Sequence, residues 1–137
     1  MIMKPPSGFL RYDKTEDGWE LVRNVELPGG EPTLELNYFL REGEGYVSGA
    51  VMMERAEEVG SNAGQLHAER MLDQQDRRIP AEWREHFLIF AGTVWRDPDG
   101  GLCVPILYWR RDGWDLDWYW LDNVFGSHDR LVRLRNS

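Results

Sequence analysis

Residues 114–120 read Trp-Asp-Leu-Asp-Trp-Tyr-Trp, an alternation that repeats every second residue. Successive side chains of a β-strand point to opposite faces, whereas a helix would scatter both sets around its axis. Trp114, Leu116, Trp118 and Trp120 therefore share one face. Asp115, Asp117 and Tyr119 share the other, with no aliphatic side chain among them. The pattern demands a sheet that buries indoles on one side and leaves carboxylates wet on the other. Five of the seven tryptophans lie between Trp95 and Trp120, so the C-terminal third carries this demand.

The rest of the chain is read around that strand. Trp19 to Leu27 is expected to be a strand stopped by Pro28-Gly29-Gly30, and Thr33 to Leu40 a second. Within it Leu34, Leu36, Tyr38 and Leu40 alternate with Glu35, Asn37 and Phe39. Gly43-Glu44-Gly45 reads as a turn, with Tyr46 to Met53 returning as a third strand. One face of each is polar, as in an antiparallel sheet with one wet face. Ser61 or Asn62 can cap a main helix over about 62–78, because Ala68, Met71, Leu72, Gln75 and Ile79 form a helical stripe. Pro80 closes it and opens a short helix to His86. Phe87 to Trp95 is expected to be a strand, and Asp97-Pro98-Asp99-Gly100-Gly101 a turn. Leu102 to Trp109 returns, Asp112-Gly113 makes a hairpin turn, and Trp114 to Leu121 follows. Leu131 to Arg135 is a last, short strand. The expected fold is α+β: a β-rich single domain of 1–137 with antiparallel strands, one main helix and a C-terminal β-meander.

A chain of 137 residues can bury a real core without metal or disulfides. Apolar residues are 42% and charged ones 29%, which is globular composition. The net charge of −8 argues against nucleic acid held by a basic surface and against an anionic membrane as partner. Met1-Ile2-Met3-Lys4-Pro5-Pro6 has no apolar run behind its charge, and no window approaches a membrane span. A cytoplasmic protein is the expectation. Cys103 is the sole cysteine; it lies in a strand and is read as a buried, inert thiol.

Catalytic patterns are absent. His67 and Glu69 stand two apart on a helix and face different sides, and Glu82 with His86 supplies two metal ligands at most, so a surface ion pair is expected there. Ser127-His128-Asp129 holds three triad residue types in a row, but neighbouring side chains diverge. No glycine pattern of a phosphate loop occurs, and Asp97 with Asp99 lacks the remaining spacing of a calcium loop. The sequence assigns no catalytic residue, metal or cofactor.

What remains is a recognition surface. Tyr and Arg are enriched at binding hot spots, and rigid tyrosine-rich surfaces bind with little loss of side-chain entropy. Tyr108, Arg110, Asp115, Asp117, Tyr119, Asn123 and His128 are the candidate ligand-binding residues. Residues 1–96 hold thirteen Glu and four Asp, whereas 97–137 hold seven Asp and no Glu or Lys. Turn preference accounts for Asp97, Asp99 and Asp112, but not for Asp115 and Asp117 in a strand.

The run Val104-Pro-Ile-Leu-Tyr-Trp109, then 114–121, then Phe125-x-Ser-x-Asp-Arg-Leu-Val-Arg133 resembles the C-terminal variable segment of diversity-generating retroelement target proteins. In that family adenine-directed randomisation turns asparagine codons into Asp, Tyr, His, Ser, Gly or Arg codons, never Glu or Lys. Tyr108, Arg110, Asp115, Asp117, Tyr119, Asp122, Asn123, Gly126 and His128 belong to that reachable set. The resemblance spans about 87–137 and implies a C-type-lectin-like fold displaying a ligand-binding surface.

Three functions compete. The first is a non-enzymatic binding protein that presents this surface to a protein or other exposed ligand; it requires Asp115, Asp117 and Tyr119 exposed and Trp118 and Trp120 buried. The second is a small acidic inhibitor or immunity protein that neutralises a basic partner, as phage and toxin systems encode. Residues 1–62 carry 12 acids against 6 bases, so Glu35, Glu42, Glu44 and Glu54 would serve it. An enzyme built around His67, His86 or His128 ranks last.

Overall fold

The computed structural model describes residues 10–25, 33–73 and 79–135. In chain order the elements are β1 (Glu20–Arg23), β2 (Leu34–Asn37), β3 (Tyr46–Ser48), α1 (Gly49–Glu58), α2 (Gln65–Asp73), β4 (Phe87–Ile89), β5 (Val94–Arg96), β6 (Leu102–Arg110), β7 (Gly113–Trp120), β8 (Val124–Gly126) and β9 (Asp129–Leu134). The fold is α+β. Seven strands make one sheet in the order β1-β5-β6-β4-β9-β2, with β7 on the remaining edge of β6; β3 and β8 form a separate pair.

β6 organises the sheet. Its residues 103–107 are buried on both faces, which explains why Cys-Val-Pro-Ile-Leu reads as an unbroken apolar run. Val104 and Ile106 pack with Met52 and Ala56 of α1, whereas Leu107 packs with Ala68 and Met71 of α2. Helices therefore cover both faces, not one as the strand patterns suggest. Pro105 sits mid-strand because of a break opposite it. The stretch expected as one strand, 87–95, is divided into β4 and β5, and residues 90–93 leave the ladder there. The Pro105 carbonyl accepts the Phe90 N–H at 3.0 Å, so its missing N–H also faces the break and not β7.

The third strand ends early. Tyr46–Ser48 pairs with β8, and α1 begins where a strand to Met53 was expected. The Ser48 hydroxyl caps α1 by accepting the Val51 N–H, and Gly49, Met52 and Ala56 are the buried face. A Cβ at Gly49 would collide with the Leu121 carbonyl, so only glycine lets α1 approach the end of β7 this closely. Among the described residues there are thus two α-helices, α1 being additional to the main helix expected over 62–78. Within the stretch assigned to the main helix, α2 covers Gln65–Asp73; Gln75 lies outside the described residues. Ser61 and Asn62 do not cap α2 but tie it to β9, through Ser61 to the Val132 carbonyl and Asn62 to the Leu134 N–H. Gln65 N–H is instead taken by the Thr93 hydroxyl at 2.8 Å.

The C-terminal meander stops at β7. β8 crosses to β3, and β9 lies parallel to β4 and antiparallel to β2. β2 itself ends at Asn37, after which Phe39 and Leu40 are both buried and Tyr38 is exposed, breaking the expected alternation. The β6–β7 hairpin is closed by the Arg110–Gly113 pair, so the loop is Arg111-Asp112 rather than Asp112-Gly113. Its left-handed position falls on Arg111, at φ 58°.

Candidate binding surface

β7 pairs with β6 in a register that sets Asp115 opposite Tyr108, Asp117 opposite Ile106 and Tyr119 opposite Val104. These six side chains share one face of the hairpin. Asp115 and Asp117 are exposed, and Tyr119 is 37% exposed with its ring edge-on to Phe125, centroids 5.2 Å apart. Tyr108 is half-buried against Phe87, and the exposed Arg110 lies 3.7 Å from Asp115. His128 is exposed in the β8–β9 turn. Asn123 is also exposed but stands apart, in the turn after β7, where its N–H closes onto the Trp120 carbonyl. The fold therefore gathers Tyr108, Arg110, Asp115, Asp117, Tyr119 and His128 along one side and leaves Asn123 at its end.

A cavity of about 240 Å³ opens on this side, lined by Phe87, Ile89, Ile106, Tyr119, Phe125 and the 126–129 turn. Ser127, His128 and Asp129 all line this cavity. Their side chains make no hydrogen bond to one another among the described residues, so no triad forms. Asp129 Oδ2 accepts the Gly126 N–H at 2.7 Å. Burial pushes the Asp129 carboxyl above its ordinary value, outweighing that hydrogen bond and the nearby His128 and Arg130. Phe87 and Asp129 escape sequence reasoning because the strands that carry them, β4 and β9, meet only through a parallel pairing, and Phe125 because β8 crosses to β3.

The opposite face of β7 carries the indoles, and α2 covers this face rather than the aspartates. Trp114 is buried and Trp118 half-buried, but Trp120 is 37% exposed, contrary to expectation. Trp120 lies beyond α2, tilted against Trp19 with its indole N–H on Asp97 Oδ2 at 2.8 Å. Asp97 also accepts the Asp99 and Gly101 N–H groups, and the Trp120 bond first among these holds its carboxyl below the ordinary range. Beneath Trp118, fully buried Gln65 accepts the indole N–H groups of Trp95 at 2.8 Å and Trp118 at 3.2 Å. Its amide donates to the Tyr12 carbonyl and to Glu69.

His67 and Glu69 are both buried, Glu69 against the segment before β1. Glu69 accepts the Arg11 and Tyr12 N–H groups, and His67 Nδ1 accepts that of Gly64. Burial lowers the imidazole to about 4, and Nε2 has no hydrogen-bond partner among the described residues. Ala81–Glu85 is a 3₁₀-helix, in which residues four apart do not align, so His86 approaches Glu85 rather than Glu82. Cys103 is fully buried and its thiol is pushed up to about 12 by desolvation. Among the described residues no three His, Cys, Asp or Glu side chains cluster to hold a metal ion. No described helix is long and apolar enough to cross a membrane.

The N-terminal acids fall into two groups. Glu35 pairs with Arg133, and Glu44 with Arg55, whose guanidinium draws the Glu44 carboxyl down to about 2. Glu42 and Glu54 are exposed.

No family model matches the chain, and neither curated proteins nor solved structures yield a match.

Proposed function

We propose that this chain is a non-enzymatic binding protein whose β6–β7 face, with the adjoining β8–β9 turn, engages another protein. The observation that carries this reading is the placement of exposed Asp115, Asp117, Tyr119 and His128 beside an apolar cavity. At about 240 Å³ that cavity is smaller than the roughly 300–1,000 Å³ of small-molecule sites and suits one anchoring side chain. The net charge of −8 favours a protein partner over nucleic acid or an anionic membrane. A cytoplasmic setting accords with the single buried thiol.

The same placement supports the resemblance to retroelement-diversified targets. Exposed positions of the reachable set alternate with buried Trp114 and Phe125, as a variable surface on a fixed scaffold would. A reverse-transcriptase gene beside a near-copy of the 3′ coding end would establish that origin. The inhibitor reading ranks second, because two of its four acids are occupied by Arg133 and Arg55.

Affinity capture from the source organism separates the two. The partner should be lost from a variant combining Asp115→Ala, Asp117→Ala and Tyr119→Ala, yet kept by Glu42→Gln with Glu54→Gln. The reverse pattern assigns binding to the N-terminal acids, and capture unaffected by either set defeats both readings.

A further inference from the structure

We propose that the cavity beside Tyr119 receives an arginine side chain of the bound protein, with Asp129 as its counter-ion. This rests on the surface reading above and names the chemistry of its partner.

The cavity walls are Phe87, Ile89, Ile106, Phe125 and the Tyr119 ring, which suit a hydrocarbon stem. Of the polar lining residues Ser127, His128 and Asp129, the last supplies a carboxylate. Asp129 is partly buried, and its Oδ2 is engaged by Gly126 while its Oδ1 makes no hydrogen bond among the described residues. No described Lys or Arg pairs with it. The adjacent Arg130 is turned away: its guanidinium donates to the Ser127 and Asp129 carbonyls and lies 4.5 Å from the centre of the Tyr38 ring. A desolvated carboxylate without a counter-ion is costly, and an incoming cation relieves that cost. It is the one ionisable wall besides the exposed His128 and the Tyr119 phenol, and His128 is neutral when deprotonated.

Charge outside the cavity acts in the same direction. Asp115 and Asp117 stand on the same face of β7, and residues 97–137 contain no Lys. Arg110 offsets Asp115 at the far end of the hairpin, whereas Asp117, in register with the cavity-lining Ile106, has no described Lys or Arg partner. The head group is specified by the aromatics. Tyr119 and Phe125 stand at 82° to each other, offering one ring face and one edge. A planar, weakly hydrated guanidinium stacks on such rings and pairs with a carboxylate through parallel N–H groups, whereas a compact, strongly hydrated ammonium does neither well.

The test needs no partner. Benzamidine, a flat apolar ring bearing an amidinium, serves as the rigid probe, with neutral benzamide and anionic benzoate as controls. Each is titrated into the ¹⁵N-labelled chain at neutral pH while the Gly126 and Asp129 amides are followed. Benzamidine should shift both and bind at least about tenfold more tightly than either control, the step expected for one charge-assisted pair. Asp129→Asn keeps an oxygen for the Gly126 N–H, so the turn should hold and unchanged shifts elsewhere verify the fold. In it the preference for benzamidine should vanish. Tyr119→Leu retains an apolar wall and should weaken benzamidine more than benzamide. Equal binding of benzamidine and benzamide, a preference that survives Asp129→Asn, or no response at residues 125–129 overturns the proposal. Those outcomes leave the surface reading to stand or fall on the capture experiment, which does not involve Asp129.

Discussion

Asp117 accepts the backbone N–H of its own neighbour, Trp118, at 2.8 Å. Trp118 lies opposite Pro105, whose carbonyl turns the other way to meet Phe90, so the Trp118 N–H points off the free edge of β7. The carboxylate thus closes a donor that another strand could use, and it sets a charge where a second copy would place its own. Exposed edge strands need such protection against edge-to-edge pairing.

Asp117→Val should therefore self-associate in sedimentation velocity at concentrations where the natural chain does not change. Asp117→Asn keeps the acceptor oxygen and should behave more like the natural chain. The fold's own stability should shift by no more than about 1 kcal/mol in either variant. Indistinguishable sedimentation of the Val variant and the natural chain would remove the protective role.

Gln65 joins the segment before β1, α2, β5 and β7 through four side-chain hydrogen bonds. Replacing it by Leu fills the space but strands two indole N–H groups and the Tyr12 carbonyl. The expected loss is about 3 kcal/mol or more in urea unfolding, together with a change in tryptophan emission. A loss below about 1 kcal/mol would mean that water replaces the network.

His67 makes stability pH-dependent. Its imidazole titrates at about 4 in the folded chain against 6.5 when exposed, so the unfolded chain binds the proton more tightly. Stability present above pH 6.5 is lost as pH falls toward 4, up to about 3 kcal/mol from this group. Asp129 acts in the opposite sense, because its raised carboxyl favours the folded state at low pH and loses that contribution as pH rises through its folded value. The readout is thus the difference between natural chain and His67→Gln in urea unfolding at pH 7.5 and 4.5. That difference should shrink or reverse at the lower pH; an unchanged difference contradicts a buried neutral imidazole.

Arg111 adopts a left-handed backbone conformation that costs a residue bearing a Cβ about 1 kcal/mol. Arg111→Gly should raise the unfolding midpoint by a corresponding amount, and Arg111→Ala should not. Equal midpoints for the two variants would show that the hairpin is unstrained there.

Elements whose signals are local were legible. The 114–120 alternation and the 97–101 turn can be read residue by residue, because pleat and turn chemistry act over a few neighbours. α1 was hidden behind Val51, Met52 and Met53, which suit a strand as well as a helix; only the Ser48 cap and the Gly49–Met52–Ala56 spacing marked it. The burial of Gln65, His67 and Glu69 was not legible, since nothing near them in sequence announces the residues that cover them.

The sequence by itself determined that β7 has two chemically opposite faces, because that property follows from the alternation of its own side chains. Tertiary structure decided what each face meets. Gln65 and the 10–12 segment come to the indoles, and β9 comes to the aspartate side by lying parallel to β4. Those meetings join positions far apart in the chain, through hydrogen bonds and apolar burial that no local pattern encodes. The cavity beside Tyr119, with Asp129 in its lining, exists only because of them.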